Sequence, residues 1–383
     1  MSITSNRFLG IGALTVMLGA LTTRAVVSEK SFDWRLVALY FISCTLGYLV
    51  TSLKVIPYLI PINIRAGMSG RDIYLRGTPG FEKELPECLG IGVATVYFCM
   101  LLAFYGVCKS MGQDKLAEVI ASSLGFVSFG TFLGYVDDVL ELRWRDKLIF
   151  PFFFSILIIF SYEGDTKINL PGFVSGIIGL QSIELSFLFY IYLICLSIFC
   201  TNSINIYAGI SGLETGQSLV IGLTLMIENL FCIFGGHNPI NNLYSLVILG
   251  PFCAVTLALY KWNKVEAKTF VGDTYCYFAG SVLAASGIIG KSPIKLLLFF
   301  IPQLFNFIIS LPQLFGIVFC PRHRLPTMDL KTGRLNTTFP TNLNLVNFAL
   351  WVTGPLTEHQ LSVVLLWLQV VTNILIIGLF RLF

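Results

Sequence analysis

Charge is what this sequence has least of. Only 12% of its 383 residues are Asp, Glu, Lys or Arg, while 55% are hydrophobic, a balance that excludes an ordinary soluble globule. The formal net charge is +4 and its cations are scattered. That excludes nucleic acid as a partner, because such a footprint needs a clustered basic stripe. Histidine is nearly missing, at three residues, and none of the ten cysteines belongs to a Cys-x-x-Cys pair, so neither a zinc site nor a disulfide framework is expected. The cysteines stand alone in apolar runs such as FISCTLG and LICLSIFC, where they act as small hydrophobes. No internal repeat is visible, which weighs against a transporter built from symmetric halves.

What is abundant is long apolar sequence. A helix needs about 20 apolar residues to cross the hydrocarbon core, and such blocks fall near 36–60, 89–107, 118–136, 148–162, 186–201, 217–234, 244–260, 274–290, 293–319 and 361–380. The expected fold class is an all-α polytopic membrane protein with about ten transmembrane helices, and the ninth, carrying Pro302 and Pro312, is expected to be kinked. Residues 1–33 read as an N-terminal extension whose apolar stretch, Phe8 to Val27, is interrupted by Arg24. Residues 34–383 read as a single membrane domain.

Alternate connections sort the loops into two sets. Loops 61–88, 137–147, 202–216, 261–273 and 320–344 carry 14 Lys and Arg, whereas the opposite set carries five: Lys109, Lys115, Lys167, Lys291 and Arg381. By the positive-inside rule the first set is cytosolic. Asn336-Thr337-Thr338, a glycosylation acceptor pattern, lies in that set and is expected to stay unmodified.

Every polar stretch of chemical interest falls in the same five loops. Asp137 and Asp138 sit where a helix emerges from the bilayer, a depth at which carboxylates must be hydrated, paired or bound to a cation. Taken alone, that loop is equally a solvated helix end neutralised by Arg143, Arg145 and Lys147. Asp273 adds an acid beside a glycine that allows close backbone approach, and Asn202 and Asn205 share a helix face. Hard oxygen donors with few protein charges suit magnesium, which completes its shell with water and phosphate oxygens. Gly209, Gly212 and Gly216 read either as a bend fit for backbone amides to approach a phosphate or a base or as ordinary helix-packing glycines. Arg322, His323 and Arg324 form a compact cationic cluster fit to clamp a diphosphate, or one that anchors topology, which explains the arginines but not the histidine.

DDVLELRWRDK, TNSINIYAGISGLETGQSLV, FVGDTYCYFAG, LFFIPQLFNFIISLPQLF and CPRHRLP together resemble the eukaryotic UDP-N-acetylglucosamine–dolichyl-phosphate N-acetylglucosaminephosphotransferase family, within the polyprenyl-phosphate N-acetylhexosamine-1-phosphate transferase superfamily. The likeness runs from about residue 34 to the C-terminus. It implies a ten-helix enzyme of the endoplasmic reticulum membrane with its active site on the cytosolic face. Its substrates would be UDP-N-acetylglucosamine and dolichyl phosphate, with Mg2+ as cofactor and UMP as the leaving product. Carried over by motif, Asp137, Asp138 and Lys147 would be catalytic, and Asn205 and Asp273 would bind magnesium. Phe270 would stack on uracil, Lys147 and Arg322 would hold phosphates, and His323 and Arg324 would line the sugar pocket. Glu87, Glu141, Gly209 and Ser211 would lie among the other substrate contacts. Glu141 and Ser211 depart from the family, which often has asparagine at both positions.

The partners expected are thus the two substrates and the lipid bilayer, with a homodimer left open. The competing readings are a prokaryote-type enzyme using undecaprenyl phosphate and, from another class, a transporter.

Overall fold

The computed structural model describes residues 34–143, 146–160, 162, 164–169, 175–176, 179–321 and 324–382. Helices form at all ten positions where the sequence is continuously apolar, because in hydrocarbon each backbone amide must find its partner within its own segment. They are α1 (Trp34–Val50), running through a π-turn at Thr51–Val55 into α2 (Ile56–Arg65), then α3 (Gly90–Ser110), α4 (Asp114–Leu140), α5 (Asp146–Ile159) and α6 (Phe187–Ile206). After these come α7 (Leu213–Phe234), α8 (Pro239–Asn263), α9 (Gly272–Ile289), α10 (Pro293–Phe299), α11 (Ile301–Leu314), α12 (Leu345–Thr353) and α13 (Glu358–Leu382). Residues 1–33, the extension considered above, lie outside the described residues.

Among the described residues, seven helices are long and apolar enough to cross a membrane, and an eighth counts if the bent pair α10–α11 is one span. Ten independent spans therefore do not all meet that standard, for two separate reasons. Helix α5 has 14 residues, about 21 Å at the α-helical rise, short of a hydrocarbon core of about 30 Å. Helix α9 is long enough but its composition is small and partly polar, GDTYCYFAGSVLAASGII. It is the central helix, buried from Thr274 to Ile289, with α3, α4, α6, α7 and α8 around it. A helix that meets no lipid gains nothing from bulky apolar side chains and gains packing from small ones. The bend between α10 and α11 is 66°, beside Pro302, which has no amide hydrogen to continue the helical ladder.

Close approach to α9 is made by glycines. A Cβ at Gly280 would lie 2.2 Å from the Cys200 carbonyl oxygen of α6, and one at Gly134 would lie 2.7 Å from the Asp273 carbonyl oxygen and the Thr274 Cα. Large apolar side chains instead face outward, among them Phe129, Phe132, Phe153, Trp351, Trp367 and Leu375, as a lipid-facing surface requires.

Three two-stranded antiparallel ribbons, which the sequence did not announce, sit in loops: β1 (Ser69–Arg71) with β2 (Glu84–Pro86), β3 (Lys167–Asn169) with β4 (Ser182–Glu184), and β5 (Thr327–Asp329) with β6 (Arg334–Asn336). A second, smaller apolar cluster lies under the loops, built on Tyr74, Tyr207, Ile210, Leu213, Leu335 and Leu345.

The loops sorted together by alternation do meet. Tyr74 donates its hydroxyl to the Gly209 carbonyl at 2.8 Å, Phe270 N–H donates to the Pro86 carbonyl at 2.9 Å, and Gly209 abuts Leu325. The opposite loops converge at the other end, where Lys115 and Lys291 share one cavity wall and Lys167, His237 and Arg381 share another with Lys291.

Candidate active site

The site is assembled where α4 ends and α9 begins. Successive helical residues project about 100° apart, so Asp137 and Asp138 serve different neighbours. Asp138 reaches the first turn of α9. Its Oδ1 accepts from Asp273 N–H at 2.7 Å and its Oδ2 accepts from Thr274 N–H at 2.9 Å and from the Thr274 hydroxyl. Both oxygens are thus spent on the free amides of a helix N-terminus, the place where a carboxylate is most stabilising. Asp137 is 3% exposed. Its Oδ1 accepts from Leu142 N–H at 3.0 Å, and Lys147 Nζ lies 2.6 Å from its Oδ2.

Lys147, in the first turn of α5, also lies 3.7 Å from Asp273 Oδ2. One ammonium therefore bridges acids contributed by two helices. Gly272 makes the junction possible: it has φ +76°, and a Cβ there would stand 2.7 Å from Asp138 Oδ2 and 2.9 Å from the Cys88 Cα. Only glycine occupies that conformation and that space together.

Glu87 and Phe270 flank this group. Phe270 is half-buried, pinned through Pro86, and Gly70 faces it: a Cβ at Gly70 would lie 2.2 Å from Glu87 Oε1 and 3.7 Å from the Phe270 ring. The Glu87 carboxyl is held above the usual carboxylate range, first by burial and then by the charge of Asp138. Asp137 and Asp273 thus share one lysine while Asp138 and Glu87 lie beside them, and a cation would relieve the repulsion among the four.

Asn205 lies on the last turn of α6, one turn beyond Asn202, whose Oδ1 accepts from the Tyr277 hydroxyl at 3.1 Å. Tyr277 is four residues after Asp273 and so shares its helix face. Asn205 itself is half-buried and its side chain makes no hydrogen bond to any described residue. Among the described residues no three His, Cys, Asp or Glu side chains converge to cage a metal. The donors present are hard oxygens with excess negative charge and one spare amide, which fits a cation that takes only a few protein ligands.

The glycine bend forms a neighbouring group. Gly209, at φ +102°, donates its N–H to Glu214 Oε1 at 3.2 Å, and Ser211 N–H donates to Glu358 Oε1 at 2.9 Å. Arg324 is half-buried and donates to the Leu343 carbonyl at 3.3 Å, beside the Leu325 that abuts Gly209. Arg322 and His323 lie outside the described residues, as does Arg145. Glu141 is exposed and ends α4 with φ +47°, a conformation that asparagine adopts more readily than glutamate. A backbone reason therefore accounts for asparagine at that position as well as any substrate contact does.

Sequence reasoning missed Tyr277, Glu214 and Glu358. Tyr277 was legible from its spacing to Asp273. Glu358 was not, because its partner is 147 residues away.

Residues 119–291 match the family model described as glycosyl transferase family 4. Over 360 residues the chain is 40% identical to a UDP-N-acetylglucosamine–dolichyl-phosphate N-acetylglucosaminephosphotransferase of Dictyostelium discoideum, covering 88% of this chain and 87% of that one. The enzyme of the same name from Schizosaccharomyces pombe is 34% identical, covering 86% of this chain and 88% of its own, and that from Saccharomyces cerevisiae is 37% identical, covering 78% and 72%. The chain belongs to the UDP-N-acetylglucosamine–dolichyl-phosphate N-acetylglucosaminephosphotransferase family. The stretch matched to the glycosyl transferase family 4 model contains Asp137, Asp138, Lys147, Asn205 and Asp273, and stops short of Arg324. The acidic junction is thus within the matched stretch, and the Arg324 loop is joined to it only through the fold.

Proposed function

We propose that this transferase moves N-acetylglucosamine 1-phosphate from UDP-N-acetylglucosamine to dolichyl phosphate, releasing UMP and leaving N-acetylglucosaminyl-diphosphodolichol. The chain would work as a multi-pass protein of the endoplasmic reticulum membrane with the acidic junction facing the cytosol, and so would catalyse the first step of lipid-linked oligosaccharide assembly. The observation that carries the reading is the junction itself: acids from α4 and α9 around one lysine, in a chain that matches enzymes of this name over most of their length.

In the reaction, an oxygen of the acceptor phosphate attacks the phosphorus bearing the sugar, and the bond from that phosphorus to the UMP oxygen breaks. A phosphate monoester has a second pKa of about 6 and is largely ionised near neutral pH, so little base catalysis is required. Positioning and charge neutralisation supply the rate. Asp138 would act by position rather than as a base, because its oxygens hold the N-terminus of α9 and thereby Asp273. Asp137 holds Lys147, whose remaining hydrogens can meet phosphate oxygens. Asn205 and Asp273 would hold magnesium, and the chemistry it supplies when bound is neutralisation of the diphosphate. The half-open Phe270 ring offers a stacking surface for uracil. Arg324 would meet the nucleotide and sugar, and the Gly209–Ser211 bend would meet them by atoms other than its amides, which Glu214 and Glu358 already hold.

The test is the purified protein with labelled UDP-N-acetylglucosamine and dolichyl phosphate, with and without magnesium. A single lipid-linked product and equimolar UMP are expected with the metal, and neither after chelation. Undecaprenyl phosphate used in strong preference to dolichyl phosphate would favour the prokaryote-type activity instead.

A further inference from the structure

At the end of the bundle away from the acidic junction lies a cavity of about 360 Å3. Asp273 begins α9 and Gly290, at the cavity wall, follows its end, so the two sites are about 25 Å apart at the helical rise. The cavity is lined by Lys167, Lys291, Lys295, Arg381, His237 and Asn242. This chain is poor in charge, and four of its cations converge here.

Some of that charge is spent. Lys295 and Arg381 both pair with Glu228, which is 1% exposed, Arg381 at 3.1 Å, and Lys167 faces Glu184 across the β3–β4 ribbon. Lys291 forms no ion pair with any described residue. Among the described residues Glu228 and Glu184 oppose these four cations, with Asp165 beside the lining Tyr162, and the wall keeps a positive excess. Asn242, 1% exposed, donates its amide to the His237 and Asn238 carbonyls at 3.0 and 2.9 Å, while its Oδ1 has no partner. That oxygen has essentially no exposed surface, so it is closed to the cavity. Cations that outnumber the carboxylates near them describe a ligand that carries a phosphate. Phe189 and Phe380 complete the wall, and Phe187 and Leu188, at the start of the same helix as Phe189, are 72% and 60% exposed on the lipid-facing surface. An alkyl chain attached to such a head would lie along them.

We propose that this cavity binds a phosphate-bearing ligand, the anionic part of a phospholipid headgroup, at a site separate from the transferase centre.

The test uses the full chain in detergent, with direct binding measured for short-chain phosphatidylglycerol, for inorganic phosphate and for the phosphate-free short-chain diacylglycerol. The variant is Lys167→Gln with Lys291→Gln, which leaves the buried Glu228 pairs intact, with Lys291→Gln alone as the milder change. Size-exclusion profile and Tm report folding. The expected result is one phosphatidylglycerol per chain, weakened at least tenfold in the double variant, with diacylglycerol not bound at this site. If inorganic phosphate binds with the same dependence on the variant, the free anion suffices; if it does not, the headgroup is the source. Phosphatidylglycerol affinity unchanged in a folded double variant, equal binding of diacylglycerol, or no binding of either phosphate probe would overturn the proposal.

Discussion

Asp138 and Asp137 are adjacent in sequence and differ in their hydrogen-bond partners. Asp138 accepts from two backbone amides and a hydroxyl of α9, so Asp138→Ala removes a helix cap supplied from another helix. A lost cap costs about 1–2 kcal/mol, and Tm should fall together with turnover. A variant inactive at unchanged Tm would return Asp138 to the role of a base. The aspartate pair was legible in the sequence because acids at a membrane boundary demand an explanation. Which of the two does what was not, since the deciding contact spans 135 residues. Gly272 was legible as a point of close approach, and its φ of +76° bears this out.

At the level of elements, the site depends on how closely α4 can approach α9. Gly134→Ala would bring a Cβ to 2.7 Å from the backbone of Asp273 and Thr274, which cannot swing aside. Overpacking of this kind costs about 1–3 kcal/mol, and a displacement approaching 1 Å at Asp273 should lower kcat by on the order of tenfold to a hundredfold. Gly130→Ala is the comparison, because its Cβ meets the Ser281 hydroxyl, the far end of a short side chain. Turnover in Gly130→Ala should stay within a few-fold of the parent, and equal losses in both variants would show that the α4–α9 gap does not set Asp273. Apolar runs gave the helix positions well, since hydrocarbon enforces them. They placed α9 as a helix although burial by protein there replaces contact with lipid and thins its apolar character, and they gave no sign of the short ribbons in the loops, whose three-residue strands are too brief for a period-two pattern.

For the whole molecule, alternation of the ten expected spans grouped five loops, four of which carry the 14 cations, and their contacts join at one end. The orientation of that end follows from charge asymmetry and can be checked at Asn336. The Thr338 hydroxyl of its acceptor pattern already donates to Asn347 Oδ1 at 2.8 Å. Mass spectrometry of the protein from its native membrane should find Asn336 unmodified, and a glycan there would reverse the orientation and with it the side on which the reaction occurs.

The most direct measurement is formation of lipid-linked N-acetylglucosamine by Asp273→Asn at several magnesium concentrations, beside the parent and with Tm as the folding control. Asp273 joins α9 to Lys147 and would carry much of the charge that opposes magnesium, for which a neutral amide is a poorer ligand. The expected result is a folded protein with kcat reduced at least a hundredfold and only partial recovery at high magnesium. Parental turnover at low magnesium in the folded variant would contradict the claim that this junction is the transferase centre.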